Sequence, residues 1–276
     1  MRFGGPWTIE KLDILEAYLD AYTTALKSQP FSLIYIDAFA GTGQVELRVE
    51  DRDTIDFLRG STERAIGIRD KPFDELIFVE KDPARYAVLE GLRSKHPKRN
   101  IIIEKGDANL VLDRLDGDWR GRRGVLFLDP FATQVEWATL ERIADLKALD
   151  TWILFPVSAV VRMLPTSRKP DDISQRWAAR LTSVFGDDSW RELYRERSQQ
   201  NLFGDPGSVR DSGVHGLMGI YRRNLRELFG DRFLDQSRAL KNSTGSHLFE
   251  FMFCVGHPRG IRPAKRIARH ILLDRM

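Results

Sequence analysis

Leu33-Ile-Tyr-Ile-Asp-Ala-Phe-Ala-Gly-Thr-Gly43 is the stretch that decides how this 276-residue chain reads. Leu33 to Ile36 form a short β-branched and aromatic run, the pattern of a strand buried on both faces. Asp37 ends the run, and glycines follow at Gly41 and Gly43. A glycine turn straight after such a strand lets a ligand approach the backbone, because no Cβ stands in the way. The same turn can also be tight and hold nothing. Three further apolar runs end in an acidic residue, at Glu80, Asp107 and Asp129, and this repetition favours a ligand site.

Outward from that stretch, helix and strand alternate. Thr8 is placed to cap a helix whose apolar positions Leu12, Leu15, Leu19, Tyr22 and Leu26 share one face, with Pro30 closing it. Residues 44–60 are highly charged without a clear period and read as a long loop, a flap over the glycine turn. Gly60-Ser61 opens a short helix to Ile68. Leu76–Val79 is a second strand ending at Glu80. Pro83 starts a helix with Tyr86, Leu89 and Leu92 inward. Ile101–Ile103 leads to Gly106-Asp107, and Val125–Leu128 leads to Asp129-Pro130-Phe131. A helix over 135–147 and a fifth strand, Trp152–Phe155, follow. Strands alternating with helices at this spacing predict right-handed βαβ units and a doubly wound parallel sheet.

From Pro165 the rhythm changes. Candidate helices at Ile173–Phe185, Ser189–Ser198 and Gly213–Phe229 follow one another without a strand, so 165–230 reads as a helical insertion in a domain formed by 1–164 and 231–276. Trp177, Trp190 and Tyr194 are read as the core of that insertion, which is a candidate for substrate or partner recognition. Phe233–Leu240 and His247–Val255, joined by Lys-Asn-Ser-Thr-Gly-Ser, predict an antiparallel hairpin at the sheet edge. Pro263 starts a last helix with Ile267, Ile271 and Leu272 on one face and Arg262, Lys265, Arg266 and Arg269 on another.

A 42% hydrophobic and 30% charged composition describes an ordinary globular protein. The net charge of +3 and pI near 9.0 hint at a polyanionic partner. The single cysteine, Cys254, lies in an apolar run and reads as a small buried hydrophobe. The five histidines are scattered, so no metal site is expected. No signal-peptide pattern or membrane-spanning run is visible, which predicts a cytoplasmic protein with no membrane partner.

The chemistry gathers at the carboxyl ends of the strands, where open α/β sheets bind ligands. Glu80, ending the second strand, is positioned to accept both ribose hydroxyls of a nucleoside. Asp107 is suited to an adenine amine or, equally, to plain helix capping. The third glycine of the dinucleotide fingerprint is absent, position 46 being Glu, and no phosphate-binding loop exists. An NAD enzyme and an NTPase are disfavoured.

These residues resemble a family. Asp37-x-Phe39-x-Gly41-x-Gly43, Glu80, Gly106-Asp107 and Asp129-Pro130-Phe131 are similar to the ordered motifs of class I S-adenosylmethionine-dependent methyltransferases. Their Rossmann-like fold has a mostly parallel seven-stranded sheet and an antiparallel C-terminal hairpin. The stretches Tyr35–Gly43, Leu126–Trp137 and Trp152–Pro156 resemble more closely the three-Cys-motif partner protein (TcmP) family. The resemblance implies S-adenosyl-L-methionine as cofactor. It implies Asp37, Phe39, Gly41, Gly43, Glu80, Asp107 and Ala108 as its binding residues, and Asp129, Pro130 and Phe131 as the catalytic set. It also implies a partner protein with a three-cysteine motif resembling radical-SAM enzymes.

Methyltransferases acting on base amines carry Asp/Asn-Pro-Pro-Phe/Tyr after the fourth strand, where the polar side chain orients the amine and the ring stacks on the base. This chain has one proline fewer, which leaves a strand-ending turn with a buried Phe as the other reading of Phe131. Arg120, Arg122 and Arg123 beside the fourth strand, and Arg162, Arg168 and Lys169 after the fifth, are expected near the site as phosphate contacts. The resulting expectation is methyl transfer to an amine nitrogen on nucleic acid. The alternative is a cofactor-binding subunit of the three-cysteine-motif protein with little transferase activity of its own.

Overall fold

The computed structural model describes residues 5–48, 55–115, 118–165, 170–196, 208–210 and 213–273. In chain order the elements are α1 (Pro6–Leu26), β1 (Ser32–Asp37), β2 (Gln44–Arg48), β3 (Ile55–Arg59), α2 (Ser61–Ile66), β4 (Glu75–Glu80), α3 (Pro83–Lys95), β5 (Ile101–Lys105), α4 (Ala108–Asp113) and β6 (Arg122–Leu128). There follow α5 (Trp137–Leu146), β7 (Leu149–Phe155), α6 (Val157–Met163), α7 (Gln175–Phe185), β8 (Tyr194–Glu196), β9 (Ser208–Arg210), α8 (Gly213–Phe229), β10 (Phe233–Lys241), β11 (His247–Cys254) and α9 (Ile261–Leu273).

Seven strands form one sheet in the order β10-β11-β7-β6-β1-β4-β5. The five central strands run parallel, and β11 pairs antiparallel with both β7 and β10. This is the Rossmann-like α/β arrangement with an antiparallel edge hairpin that the sequence predicts. Successive residues of each buried strand feed opposite layers. Ile34, Ile36, Leu126, Leu128 and Ile153 pack under α4 to α8. Leu33, Tyr35, Phe127, Trp152 and Phe253 pack under α1, α2, α3 and α9. Strand order reverses between β1 and β6, with Asp37 in register with Phe127. Such a reversal is the place at the carboxyl edge where open α/β sheets bind ligands.

Helix α1 crosses the sheet with its deepest residues on aromatic neighbours. The Tyr18 ring lies 5.3 Å from Trp152 and 4.9 Å from Phe253, and its hydroxyl donates to Asp150 at 2.6 Å. The helix begins earlier than Thr8: Gly5 is the N-cap and Pro6 the first helical residue, the position where a missing N–H costs nothing. Thr8 is instead buried, its hydroxyl without a hydrogen-bond partner, and the helix ends at Leu26, short of Pro30.

Two local readings are corrected. Residues 44–60 are not one long loop, because β2 and β3 pair as an antiparallel hairpin from Gln44↔Arg59 to Arg48↔Ile55. The alternation Gln-Val-Glu-Leu-Arg carries that strand signal, and the surrounding charges mask it; residues 49–54 lie outside the described set. The helix expected at Ser189–Ser198 is a 3-10 turn over Asp188–Leu193 followed by β8, which pairs with β9. Trp190 and Leu193, three residues apart, are both buried, a spacing the tighter 3-10 turn puts on one side. Trp190 and Tyr194 do belong to the core, whereas Trp177 is 43% exposed. The helices of this segment share a single apolar cluster with β7 and β11.

Trp152 is fully buried between α1 and the β11 aromatics Phe251 and Phe253. Trp152→Ala is expected to cost about 3–5 kcal/mol, read from the urea midpoint. A loss below about 1 kcal/mol would show that α1 does not depend on this aromatic cushion.

Candidate functional site

The β1 end is built around Asp37. It is fully buried, accepts from the Phe39 amide at 3.2 Å and from the Ser61 hydroxyl at the start of α2, and lies 3.4 Å from the Tyr35 hydroxyl. Its carboxyl is thus spent on bracing the turn. Burial pushes it up from 3.8 to about 7; the Ser61 hydrogen bond opposes this, and the nearby Asp129 charge adds to it.

The two glycines differ. Gly43 has φ +77°, and a Cβ there would stand 2.6 Å from the Thr62 hydroxyl and 3.2 Å from Leu92. Packing on α2 and α3 alone therefore accounts for it. Gly41, at φ +62°, faces open space, with nothing within 4 Å of a Cβ. The turn is held against the neighbouring strands by Ala38 N–H donating to Phe127 O and Ala40 N–H donating to Val79 O.

Glu80 ends β4, 7% exposed, with one carboxylate oxygen accepting from the Asp82 amide at 2.8 Å. Asp107 is the N-cap of α4, accepting from the Asn109 amide and side chain at 2.9 and 3.0 Å, and Ala108 is the buried first residue of that helix. Gly106 N–H donates to Glu80 O at 3.3 Å, which ties these two strand ends together.

Asp129 ends β6 and is joined by a side chain the sequence reading missed. Lys11, on the buried face of α1, donates to Asp129 Oδ2. The Lys11 side chain is 6% exposed and that of Asp129 25%. Lys11 Nζ also lies 5.5 Å from the Trp7 ring and 5.8 Å from Phe127. Lys11, Leu15 and Tyr18 share the buried stripe of α1, so a lysine within an apolar face was the available signal.

Beyond Asp129, Pro130 is buried and Phe131 is 58% exposed, not the buried turn residue of the other reading. Gln134 accepts from the Phe131 amide, and Ala132 takes φ +62°, a left-handed conformation that non-glycine residues adopt rarely. Asn109, also missed, pins this loop to α4. It donates to Gln134 O and accepts from the Glu136 amide and the Thr139 hydroxyl at 2.9, 3.1 and 2.8 Å. Arg180 of α7 reaches Thr133 and Glu136 at 3.4 Å.

Of the basic residues expected here as phosphate contacts, Arg120, Arg122 and Arg123 lie at the other end of β6. Arg122 and Arg123 open β6 at its amino end, where Arg122 pairs with Glu75 at 2.7 Å and Arg123 donates to the carbonyls of Trp119 and Arg122. Arg120 pairs with Asp118 at 3.0 Å. Arg162 lies on α6 after β7, and Arg168 and Lys169 fall outside the described residues. No described helix is long and apolar enough to cross a membrane.

No protein-family model matches the sequence, and no curated protein does. Among solved structures, the chain is similar to protein LPL1258 of Legionella pneumophila at 13% identity and TM-score 0.51, covering 93% of this chain and 89% of that one. This likeness shows a shared fold. M. jannaschii TYW2 in complex with AdoMet (11% identity, 91% and 75% covered, TM-score 0.39) and Trm5b from Pyrococcus abyssi (12%, 92% and 50%, TM-score 0.41) resemble it in outline only.

The raised Asp37 carboxyl makes a testable statement. It ionises near 3.8 unfolded and about 7 folded, so between these values the folded chain holds the extra proton and stability falls as pH rises. Asn cannot titrate. The thermal midpoint of Asp37→Asn minus that of the native protein is therefore expected to grow from pH about 5 to about 8. A difference that stays flat across that window contradicts the buried, protonated carboxyl.

Proposed function

We propose that this chain is an S-adenosylmethionine-dependent methyltransferase whose acceptor is an amine nitrogen on nucleic acid. The observation that carries the reading is the row of strand-end carboxylates Asp37, Glu80, Asp107 and Asp129 beside the point where strand order reverses. The residues fit the cofactor: Gly41 leaves open backbone, Glu80 offers a carboxylate for ribose hydroxyls, and Asp107 with Ala108 forms a helix start suited to the adenine. Asp37, with Phe39 and Gly43, holds the turn in shape behind them. The cofactor, when bound, supplies an electrophilic methyl group on a sulfonium.

Asp129 and Phe131 do the work on the acceptor side. With Oδ2 of Asp129 held by Lys11, the other oxygen is left to accept an amine N–H, directing the nitrogen lone pair by position alone. Pro130 fixes the chain between them, and the exposed ring of Phe131 is suited to stack on a planar base. Lys11 compensates the Asp129 charge. A protonated alkyl ammonium brought to the same oxygen would meet that cation at a cost on the order of a few kcal/mol, whereas a neutral aromatic amine would not.

The second reading is a cofactor-binding subunit of a three-cysteine-motif, radical-SAM-like protein in the cytoplasm, as the TcmP resemblance implies. The Lys11–Asp129 pair favours it to this extent: there Asp129 is a strut between α1 and β6 with no acceptor to orient. Methyl transfer from labelled S-adenosylmethionine to RNA and DNA separates the two. Asp129→Ala is expected to lower transfer at least about 100-fold and Lys11→Met about 10-fold or more, with cofactor affinity nearly intact in both. Unchanged turnover in Asp129→Ala refutes its role. No transfer by the native protein, together with co-purification of the three-cysteine-motif protein, establishes the second reading.

A further inference from the structure

Helix α9 carries a cationic track unrelated to the site above. Between Pro258 and Leu273 the chain has Arg259, Arg262, Lys265, Arg266 and Arg269 and no carboxylate. This segment alone carries five cations and no carboxylate in a chain whose net charge is +3. Arg262, Arg266 and Arg269 follow the i, i+4, i+7 spacing of one helix face, and all three are exposed. Over its 13 residues the helix is about 20 Å long.

The foot of the track is concave. Arg259, Arg262 and Lys265 line a cavity of about 630 Å³ with Pro258, Ile261 and Pro263, and Asp231 is its one carboxylate. Arg123 and Arg232 lie in the same region and donate to backbone carbonyls, with Asp150 within electrostatic reach of Arg123 and Asp145 of Arg232. His257 next to the cavity is held below its ordinary value, first by burial and then by Arg123 and Arg259.

We infer that α9 and the cavity at its foot bind the phosphodiester backbone of a nucleic acid. A row of exposed cations at helical spacing, ending in a cationic hollow, complements a polymer with one negative charge per nucleotide. A lipid surface fits less well. An amphipathic helix binds a bilayer through its apolar face, but here Ala264, Ala268 and Leu272 are buried in the core against α1 and the sheet. An acidic protein would need an aromatic or aliphatic anchor set among the cations, and no large apolar side chain is exposed between Arg259 and Arg269; Leu273, 43% exposed, lies beyond them at the end of the helix. Since the track reads no base edges, it holds any sequence, and it is suited to steady a polymer one of whose bases reaches Asp129. The binding itself does not depend on the methyl-transfer reading.

The test is fluorescence anisotropy of labelled single-stranded RNA, double-stranded RNA and double-stranded DNA, without added cofactor, between about 50 and 200 mM salt. The native protein is compared with Arg262→Ala/Arg266→Ala/Arg269→Ala. A charge-matched control carries Lys27→Ala/Arg69→Ala/Lys95→Ala at exposed positions elsewhere. The expected result is that the α9 variant binds about tenfold or more weakly, with a log Kd against log salt slope shallower by about 2–3. The control is expected to bind like the native protein, and the RNA and DNA arms identify which polymer is preferred. Equal affinity and slope for the two triple variants, or tighter binding of the native protein to phosphatidylserine vesicles than to every nucleic acid, would overturn the inference. Neither result touches the methyl-transfer reading, which is decided by transfer and by cofactor binding.

Discussion

The ion pair between Lys11 and Asp129 is the contact on which the arrangement of the carboxyl edge depends. It joins a helix that precedes the sheet to the strand beside the reversal of strand order, across 118 residues of sequence. Lys11 could not be buried without a counter-charge, and Asp129, close to the buried Asp37, gains from one. Tyr18 and Trp152 hold α1 on the sheet lower down, so the lysine is delivered by packing and kept by charge. Asp37 solves the same problem differently. Among the described residues no cation bonds to it; burial pushes its carboxyl up to about 7, and its oxygens are consumed in hydrogen bonds to the turn.

Much of the frame was legible because its signals are local. Leu33–Ile36 and Val125–Leu128 are uninterrupted apolar runs, which strands buried on both faces require, and each ends at an acidic residue, Asp37 and Asp129. The edge hairpin was legible from two long apolar stretches flanking Asn242-Ser-Thr-Gly245. The residues that failed to show themselves act through distant partners. Asn109 closes three hydrogen bonds to a loop and the first turn of α5, 25 to 30 residues away, and nothing next to it in sequence announces them. Lys11 sits near a helix start, and its partner Asp129 is 118 residues away in sequence. In 44–60 a two-residue alternation was present but outweighed by charge, and proximity along the sequence misled for Arg122 and Arg123, which open a strand whose other end bears the site.

Charge is distributed with a direction. The carboxyl edge carries carboxylates, one of them neutralised internally, while the cations of α9 stand apart on a face whose other side is committed to the core. Phosphates held on α9 would thus stay clear of the acidic strand ends, leaving those ends to a base recognised by shape and hydrogen bonds. Trp7 lies close to both Lys11 and the Phe249 ring, and Phe131 is exposed beyond Asp129, so aromatic side chains accompany the Lys11–Asp129 pair.

The most direct measurement of the central claim, that the strand-end carboxylates form an adenosyl-cofactor site, is calorimetric titration with S-adenosylmethionine, S-adenosylhomocysteine and NAD, using Glu80→Ala as the site control. The account predicts binding of both adenosyl ligands, no binding of NAD, and a clear loss of affinity in the variant. Absence of binding by either adenosyl ligand, or binding that Glu80→Ala leaves unchanged, would contradict it and leave the fold standing without this chemistry.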